Sequence, residues 1–215
     1  TGNASPDDIR KIQHYLDDFV KISIREQKDI GKFDAKIAAR LFVVCDPVML
    51  LRADAWNNMM EHPSEKPYLI CYFLHKKLFC KEFAIAQKIA KERGLELKVI
   101  NARFGPNSFR KGTIFDAGPG EFVNLIANAS YVCTDSFHGT LFSLVFHKQF
   151  SSLDTKQNLH DTRKKGLLES VGATAAYQNV EDPLKICSTL DYKEIDCRME
   201  EIRKSAAKFL EILDE

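Results

Sequence analysis

Residues 130–150, SYVCTDSFHGTLFSLVFHKQF, hold the residue types and spacing best suited to chemistry. A short apolar strand, YVCT, runs into a polar elbow, Asp135-Ser136-Phe137-His138-Gly139-Thr140. An amphipathic helix is expected to leave the elbow with Phe137, Leu141, Leu144 and Val145 on one face, before a second strand, QFSSL. His138 then falls in the first turn of a helix, beyond the carboxyl end of a strand. Open α/β sheets bind ligands there, because helix-start N–H groups and the helix dipole attract anions. An imidazole titrates near neutrality, so at that point it suits acid–base chemistry on an anionic substrate.

Other polar residues gather around the same kind of position, each with a structural reading beside the functional one. Asp135 and Ser136 are natural helix caps; either also suits orienting His138 or touching a ligand. Gly139 allows a ligand or a neighbouring element to approach closely. Arg25 ends the strand ISIRE, where it reads as a planar clamp for carboxylate or phosphate, or as a salt bridge to Glu26 or Asp29. Glu121 follows Gly-Pro-Gly in the first turn of a helix, where a carboxylate favours the dipole or binds a hydroxyl. Arg163 either reaches the site or is a solvated helix charge together with Lys164 and Lys165. His147 and His160 lie in no motif that dictates their positions.

The elements that must position these residues follow from periodicity. Ser5, Pro6, Asp7 and Asp8 start a helix over about 6–18, with Ile9, Ile12, Leu16 and Phe19 on one face. A strand at roughly 20–25, a helix at about 26–38, the strand LFVVC and a short helix ADAWNNMM complete the first 60 residues. EHPSEKP (61–67) reads as a linker. Beyond it come the apolar strand YLICYFL, a helix from Phe79 that Arg93-Gly94 stops, the strand LELKVI and a loop over 101–118. The helix GEFVNLIANA precedes the signature strand and helix. A loop at 154–160, a helix around 161–170 ended by Gly172, and a final helix at about 192–214 follow. Strands alternating with helices over 68–190 predict an α/β domain, a parallel sheet with helices on both faces.

Composition excludes several classes. The chain has 215 residues, 45% of them hydrophobic, and 15 Phe, which suffices for a sizeable core. With 31 basic against 30 acidic residues the net charge is +1, and no basic stripe points to nucleic acid. No apolar run approaches the roughly 20 residues of a membrane span. Six scattered cysteines form no CxxC pair, which argues for reduced cytoplasmic thiols rather than a zinc site or disulfide framework. No GxGxxG follows a strand, so a dinucleotide is not expected. No metal is expected either.

The block TDSFHGTLFSLVFHKQF resembles the polysaccharide pyruvyltransferase family, in which TDSFHGT is followed by apolar residues, FS, and F-x-K-x-F. ISIRE at 22–26, DPVMLL at 46–51, YLICYFL at 68–74, GPGEFVNLIANASYV at 118–132 and N-x-x-x-x-R-x-x-x-LLE at 158–169 agree in order and spacing. The resemblance implies a GT-B-like architecture of two facing Rossmann-like domains. It further implies transfer of a pyruvyl group from phosphoenolpyruvate onto a sugar of a bacterial surface polysaccharide, or its lipid-linked precursor, forming a ketal. His138 would be the acid–base residue. Arg25 and Arg163 would hold the donor, and Glu121, Asp135, Ser136 and Gly139 would line the substrate site. Phosphoenolpyruvate is then a donor substrate and no cofactor is implied. The partners are the sugar or lipid-linked oligosaccharide, with a cytoplasmic location compatible with peripheral membrane association. A glycosyltransferase using a nucleotide sugar and a non-catalytic glycan-binding domain are the alternatives.

The family's amino-terminal domain opens with a glycine-rich βα turn that is not found here. Residues 1–60 are therefore expected to be the tail of an incomplete first Rossmann-like domain, and 61–215 the second domain carrying the SFHG elbow. A missing amino-terminal domain or an oligomer partner would complete the enzyme. The purified 215-residue chain is accordingly expected to turn over poorly alone; robust transfer by it in a single-turnover assay would overturn this division.

Overall fold

The computed structural model describes residues 5–59, 66–75, 78–101, 111–154, 163–181 and 189–211. The linker at 61–67 and the loop at 154–160 lie mostly outside the described residues, as do His160 and the first half of the loop at 101–118, whose second half holds a short strand at Thr113–Ile114. The chain divides into two compact units, Leu51–Ile195 and a second made of Thr1–Leu50 with Asp196–Glu215.

In the unit formed by the two chain ends, α1 (Pro6–Leu16) begins with a capping box. The Ser5 side chain accepts from the Asp8 backbone N–H, and the Asp8 carboxylate accepts from Ser5 in return. The strands β1 (Ile22–Ile24) and β2 (Leu41–Val43) pair in parallel, Ile22 opposite Leu41. The single helix expected over 26–38 is instead a 3-10 turn, Gln27–Lys32, followed by α2 (Ala35–Ala38). Asp34 accounts for the break, since its carboxylate accepts from the Ile37 N–H and starts a new helix. After β2 comes the short α3 (Pro47–Leu50). Ile9, Phe33, Ile37 and Leu41 form the core, ringed by Ile12, Leu16, Ile22, Ile24 and Ile30. The helix α8 (Tyr192–Glu211) starts in the other unit. From Asp196 on it belongs here, where Phe209 meets Phe42 and the Arg203 guanidinium donates to the Met49 carbonyl at 2.7 Å.

The larger unit is built on a six-stranded sheet, every pair parallel. Its strands are β3 (Tyr68–Tyr72), β4 (Glu96–Ile100), β5 (Thr113–Ile114), β6 (Tyr131–Thr134), β7 (Phe150–Asp154) and β8 (Tyr177–Asn179). They lie in the order β5-β4-β3-β6-β7-β8. Counted from β3 this is the 3-2-1-4-5-6 order of a Rossmann sheet. The expected α/β, Rossmann-like class is therefore what forms. β5 and β8 were not legible: two and three residues long, they carry too little periodicity to stand out from loop.

Among the described residues, four α-helices link these strands: α4 (Phe79–Arg93), α5 (Pro119–Ala127), α6 (Phe137–Val145) and α7 (Arg163–Ser170). The winding runs one way from β3 to β5 and the other way from β6 to β8. Right-handed crossovers thus put α4 on one face and α5, α6 and α7 on the other. Each crossover leaves from the carboxyl edge of a strand, so the helix starts gather along that edge. Gly94, at φ 65°, ends α4 in the left-handed conformation expected of it.

The helix α6 departs from the amphipathic expectation. Every residue from Gly139 to Val145 is buried, so the helix is enclosed on all sides rather than presenting one apolar face. It lies so close to β6 that a methyl group on Gly139 would stand 2.5 Å from the Thr134 hydroxyl oxygen. Thr134 has little freedom to yield, because that hydroxyl donates to the Tyr72 carbonyl at 2.6 Å and accepts from the Ser136 N–H at 3.0 Å. Gly139→Ala is expected to lower stability by about 1–3 kcal/mol through overpacking. In a double-mutant cycle with Thr134→Ala part of that loss should be recovered. Denaturant unfolding of the four proteins checks this, and strictly additive losses would contradict the contact.

Candidate functional site

The centre of the carboxyl edge is the gap between β3 and β6, neighbours in the sheet whose chains leave in opposite directions. This is the topological switch point, where open α/β sheets take their ligands. The residues beyond β6 are those of the polar elbow. Ser136 is the N-cap of α6, its hydroxyl accepting from the Gly139 N–H at 3.3 Å. Thr140 donates back to the Ser136 carbonyl and shares a hydrogen bond with Ser152 of β7. Ser136 and Gly139 are both buried, so their visible work is to shape the elbow. His138, two residues past the cap, is exposed. Its ring lies 5.7 Å from that of Phe137, centroid to centroid.

Asp135 is the most constrained member. Its side chain is 1% exposed. One oxygen accepts from the Leu74 N–H at 2.7 Å, and the other from the His75 N–H at 2.8 Å. That second oxygen also lies 2.6 Å from Nδ1 of the His75 ring. The carboxylate thus ties the end of β6 to the turn that follows β3, across the switch point. His75 escaped the sequence reading. Its signal was positional: it comes three residues after Tyr72, the last residue of β3, just as Asp135 comes directly after β6.

Behind this pair sits Glu82, in the first turn of α4 and 1% exposed. Its carboxyl is pushed up from 4.5 to about 8, by burial first and by the negative charge of Asp135 next, with Lys164 opposing and Asp154 adding. Its Oε2 has no hydrogen-bond partner among the described residues. Lys164, expected among the solvated charges of α7, is instead buried. Its ammonium donates to the Asp135 carbonyl at 2.7 Å and the Leu153 carbonyl at 2.5 Å, and stands 3.6 Å from the Asp154 carboxylate. A lysine here neutralises a buried aspartate and joins the ends of β6 and β7. A periodicity argument cannot see that, because α7 has little apolar stripe.

Arg163, the first residue of α7, is exposed and sets its guanidinium over the Phe137 ring at 5.6 Å. It thereby comes to the start of α6, where Phe137 is the first helical residue. Glu121 is exposed in the first turn of α5, whose Phe122 packs edge-on against Tyr72 at the end of β3 and against Phe142 of α6. Arg25 belongs to the other unit. There it directly follows β1 and pairs with the buried Asp46 at 2.8 Å, while Glu26 pairs with Lys28 and Asp29 with Lys32.

Ligand atoms of His75, Glu82 and Asp135 lie within 4.8 Å of one another, a donor set that suits a divalent cation. The internal geometry favours a different use. Nδ1 and the Asp135 carboxylate are joined directly, and both Asp135 oxygens already accept backbone N–H groups. Among the described residues no helix is long and apolar enough to cross a membrane.

The model of the family described as polysaccharide pyruvyl transferase matches residues 3–157. The match spans most of the chain, and the chain belongs to that family; it is a transferase. It starts ahead of the first motif recognised in the sequence and ends before the N-x-x-x-x-R-x-x-x-LLE pattern, which lies outside it. No curated protein matches the chain.

Glu82 makes the site's electrostatics testable through stability. Because its folded-state pKa lies above the unfolded value of 4.5, its contribution is fully present below about 4.5 and is lost as pH rises through about 8. Relative to Glu82→Gln, the native protein should lose on the order of a few kcal/mol between pH 5 and pH 9. Parallel urea titrations across that range measure it. A difference that stays flat with pH would show that Glu82 is not held protonated.

Proposed function

We propose that this member of the family transfers the pyruvyl group of phosphoenolpyruvate onto two hydroxyls of a sugar, forming a ketal. The sugar belongs to a surface polysaccharide or its lipid-linked precursor. The observation that carries the reading is His138: an exposed imidazole two residues past the cap of a helix that starts at the switch point. A packed ring in the core would have favoured a non-catalytic glycan-binding role instead. The helix start supplies positive potential for a phosphate or carboxylate, and Arg163 adds a guanidinium beside Phe137.

The chemistry asks little of a cofactor. His138 donates a proton to the methylene carbon of the donor, and positive charge develops on the neighbouring carbon. One sugar hydroxyl forms a C–O bond to that carbon and gives up its proton. The C–O bond to phosphate then breaks, and the second hydroxyl closes the ketal. Of the two hydroxyl protons, one replaces the proton spent on the methyl group and the other leaves with phosphate. Holding donor and diol in one orientation supplies much of the acceleration. Developing charge is met by the helix start and the basic side chains.

Calorimetry with phosphoenolpyruvate should show saturable binding, weakened by about 10- to 100-fold in His138→Ala through loss of a charge-assisted hydrogen bond. Binding of a nucleotide sugar in place of phosphoenolpyruvate would reassign the protein to glycosyl transfer. Equal phosphoenolpyruvate affinity in the variant would remove His138 from the donor site.

A further inference from the structure

The proton balance above requires a group that accepts hydroxyl protons while His138 acts as the acid. We propose that His75 is this second acid–base residue, held by Asp135 so that its Nε2 takes the proton of the attacking sugar hydroxyl. The inference rests on the proposed pyruvyl transfer and adds to it a residue that the TDSFHGT block does not contain.

Three observations carry it. The first is orientation. A carboxylate only accepts hydrogen bonds, so the Nδ1 nitrogen 2.6 Å from Asp135 carries the hydrogen, and the lone pair of a neutral ring sits on Nε2. This is the arrangement by which a buried carboxylate fixes the tautomer of a catalytic imidazole. The second is access. The His75 side chain is 45% exposed while its partner is 1% exposed, so the pair has a buried, fixed end and an open, reactive end. The third is place. His75 follows β3 and His138 follows β6, adjacent strands at the switch point, so two imidazoles flank one ligand-binding edge.

The charged surroundings fit the role. Asp135 faces the ring from the β6–α6 turn. Glu82 approaches from α4 as a group favoured in its neutral form, so the imidazole has one anionic neighbour rather than two. Lys164 and Asp154 lie beyond, paired with each other, and Tyr72 lies close enough to Asp135 to feel its charge. In the step itself, the hydroxyl oxygen forms its bond to the donor's central carbon as its O–H bond breaks. The proton passes to Nε2, and Asp135 stabilises the imidazolium. The proton then leaves with the departing phosphate, which returns the ring to its starting state.

The test uses transfer assays on the intact natural protein carrying His75→Ala or His75→Gln. Either variant keeps the backbone N–H that bonds Asp135, so the melting temperature should stay within about 3 °C of the native value. The expected result is a fall in kcat of about 100-fold or more with donor KM nearly unchanged. One ionisation should vanish from the pH–rate profile. Added imidazole should restore part of the rate of His75→Ala but not of the native protein. Native-like kcat in both variants, or a loss that imidazole cannot rescue and that leaves the pH profile unchanged, would overturn the inference and leave the proposed function standing. Cation binding that disappears with His75→Ala, together with loss of native activity on removal of divalent ions, would also overturn it by making the ring a ligand. Native protein that transfers nothing to any sugar would bring down the proposed function first.

Discussion

The site depends on one buried carboxylate. Asp135 stands where the sheet's two windings part, and a gap of that kind has no strand hydrogen bonds beyond the ends of β3 and β6 to hold it. The carboxylate supplies the missing connection, taking the Leu74 and His75 N–H groups on one side while the polypeptide carries it into α6 on the other. Burying a charge is unfavourable unless it is hydrogen-bonded, and here the bonds come from the backbone of the turn after β3. The same residue therefore closes the turn after β3, places the start of α6 and sets a neighbouring imidazole.

Around it the protein keeps its charges in a definite order. Lys164 pairs with Asp154 and binds two strand-end carbonyls; Glu82 is favoured in its neutral form; the Asp135 carboxylate accepts two backbone N–H groups at the carboxyl edge of the sheet. A low-dielectric interior magnifies each of these interactions, so the arrangement of protons is as much a structural feature as the arrangement of chains. His138 and Arg163 lie on the exposed side.

Much of this was legible in the sequence, and the failures have physical causes. Long apolar strands such as Tyr68–Tyr72 and the capped helices announce themselves, because burial and capping act over neighbouring residues. The elbow was legible because strand, cap and helix follow one another without interruption. His75 and Lys164 were not, since their meaning arises from pairing with Asp135 at separations of 60 and 29 residues. Edge strands of two or three residues were missed for want of period, and the break at Asp34 shows a cap overriding a plausible helical pattern. Arg25 was found at its strand end, but its partner Asp46 lies 21 residues away, beyond the reach of local reasoning.

The enclosure of α6 bears on what its motif certifies. Within Thr134-Asp135-Ser136-Phe137-His138-Gly139-Thr140, five residues are buried, and packing or hydrogen bonds explain why each has its identity. The other two, the half-buried Phe137 and the exposed His138, have rings 5.7 Å apart and are not enclosed by the interior. The spelling of the block is therefore mainly the signature of a scaffold, and it would survive the loss of chemistry. A chain that kept every other letter and replaced that one histidine would keep all five buried residues of the elbow. In this block, five of seven letters answer to the interior of the fold.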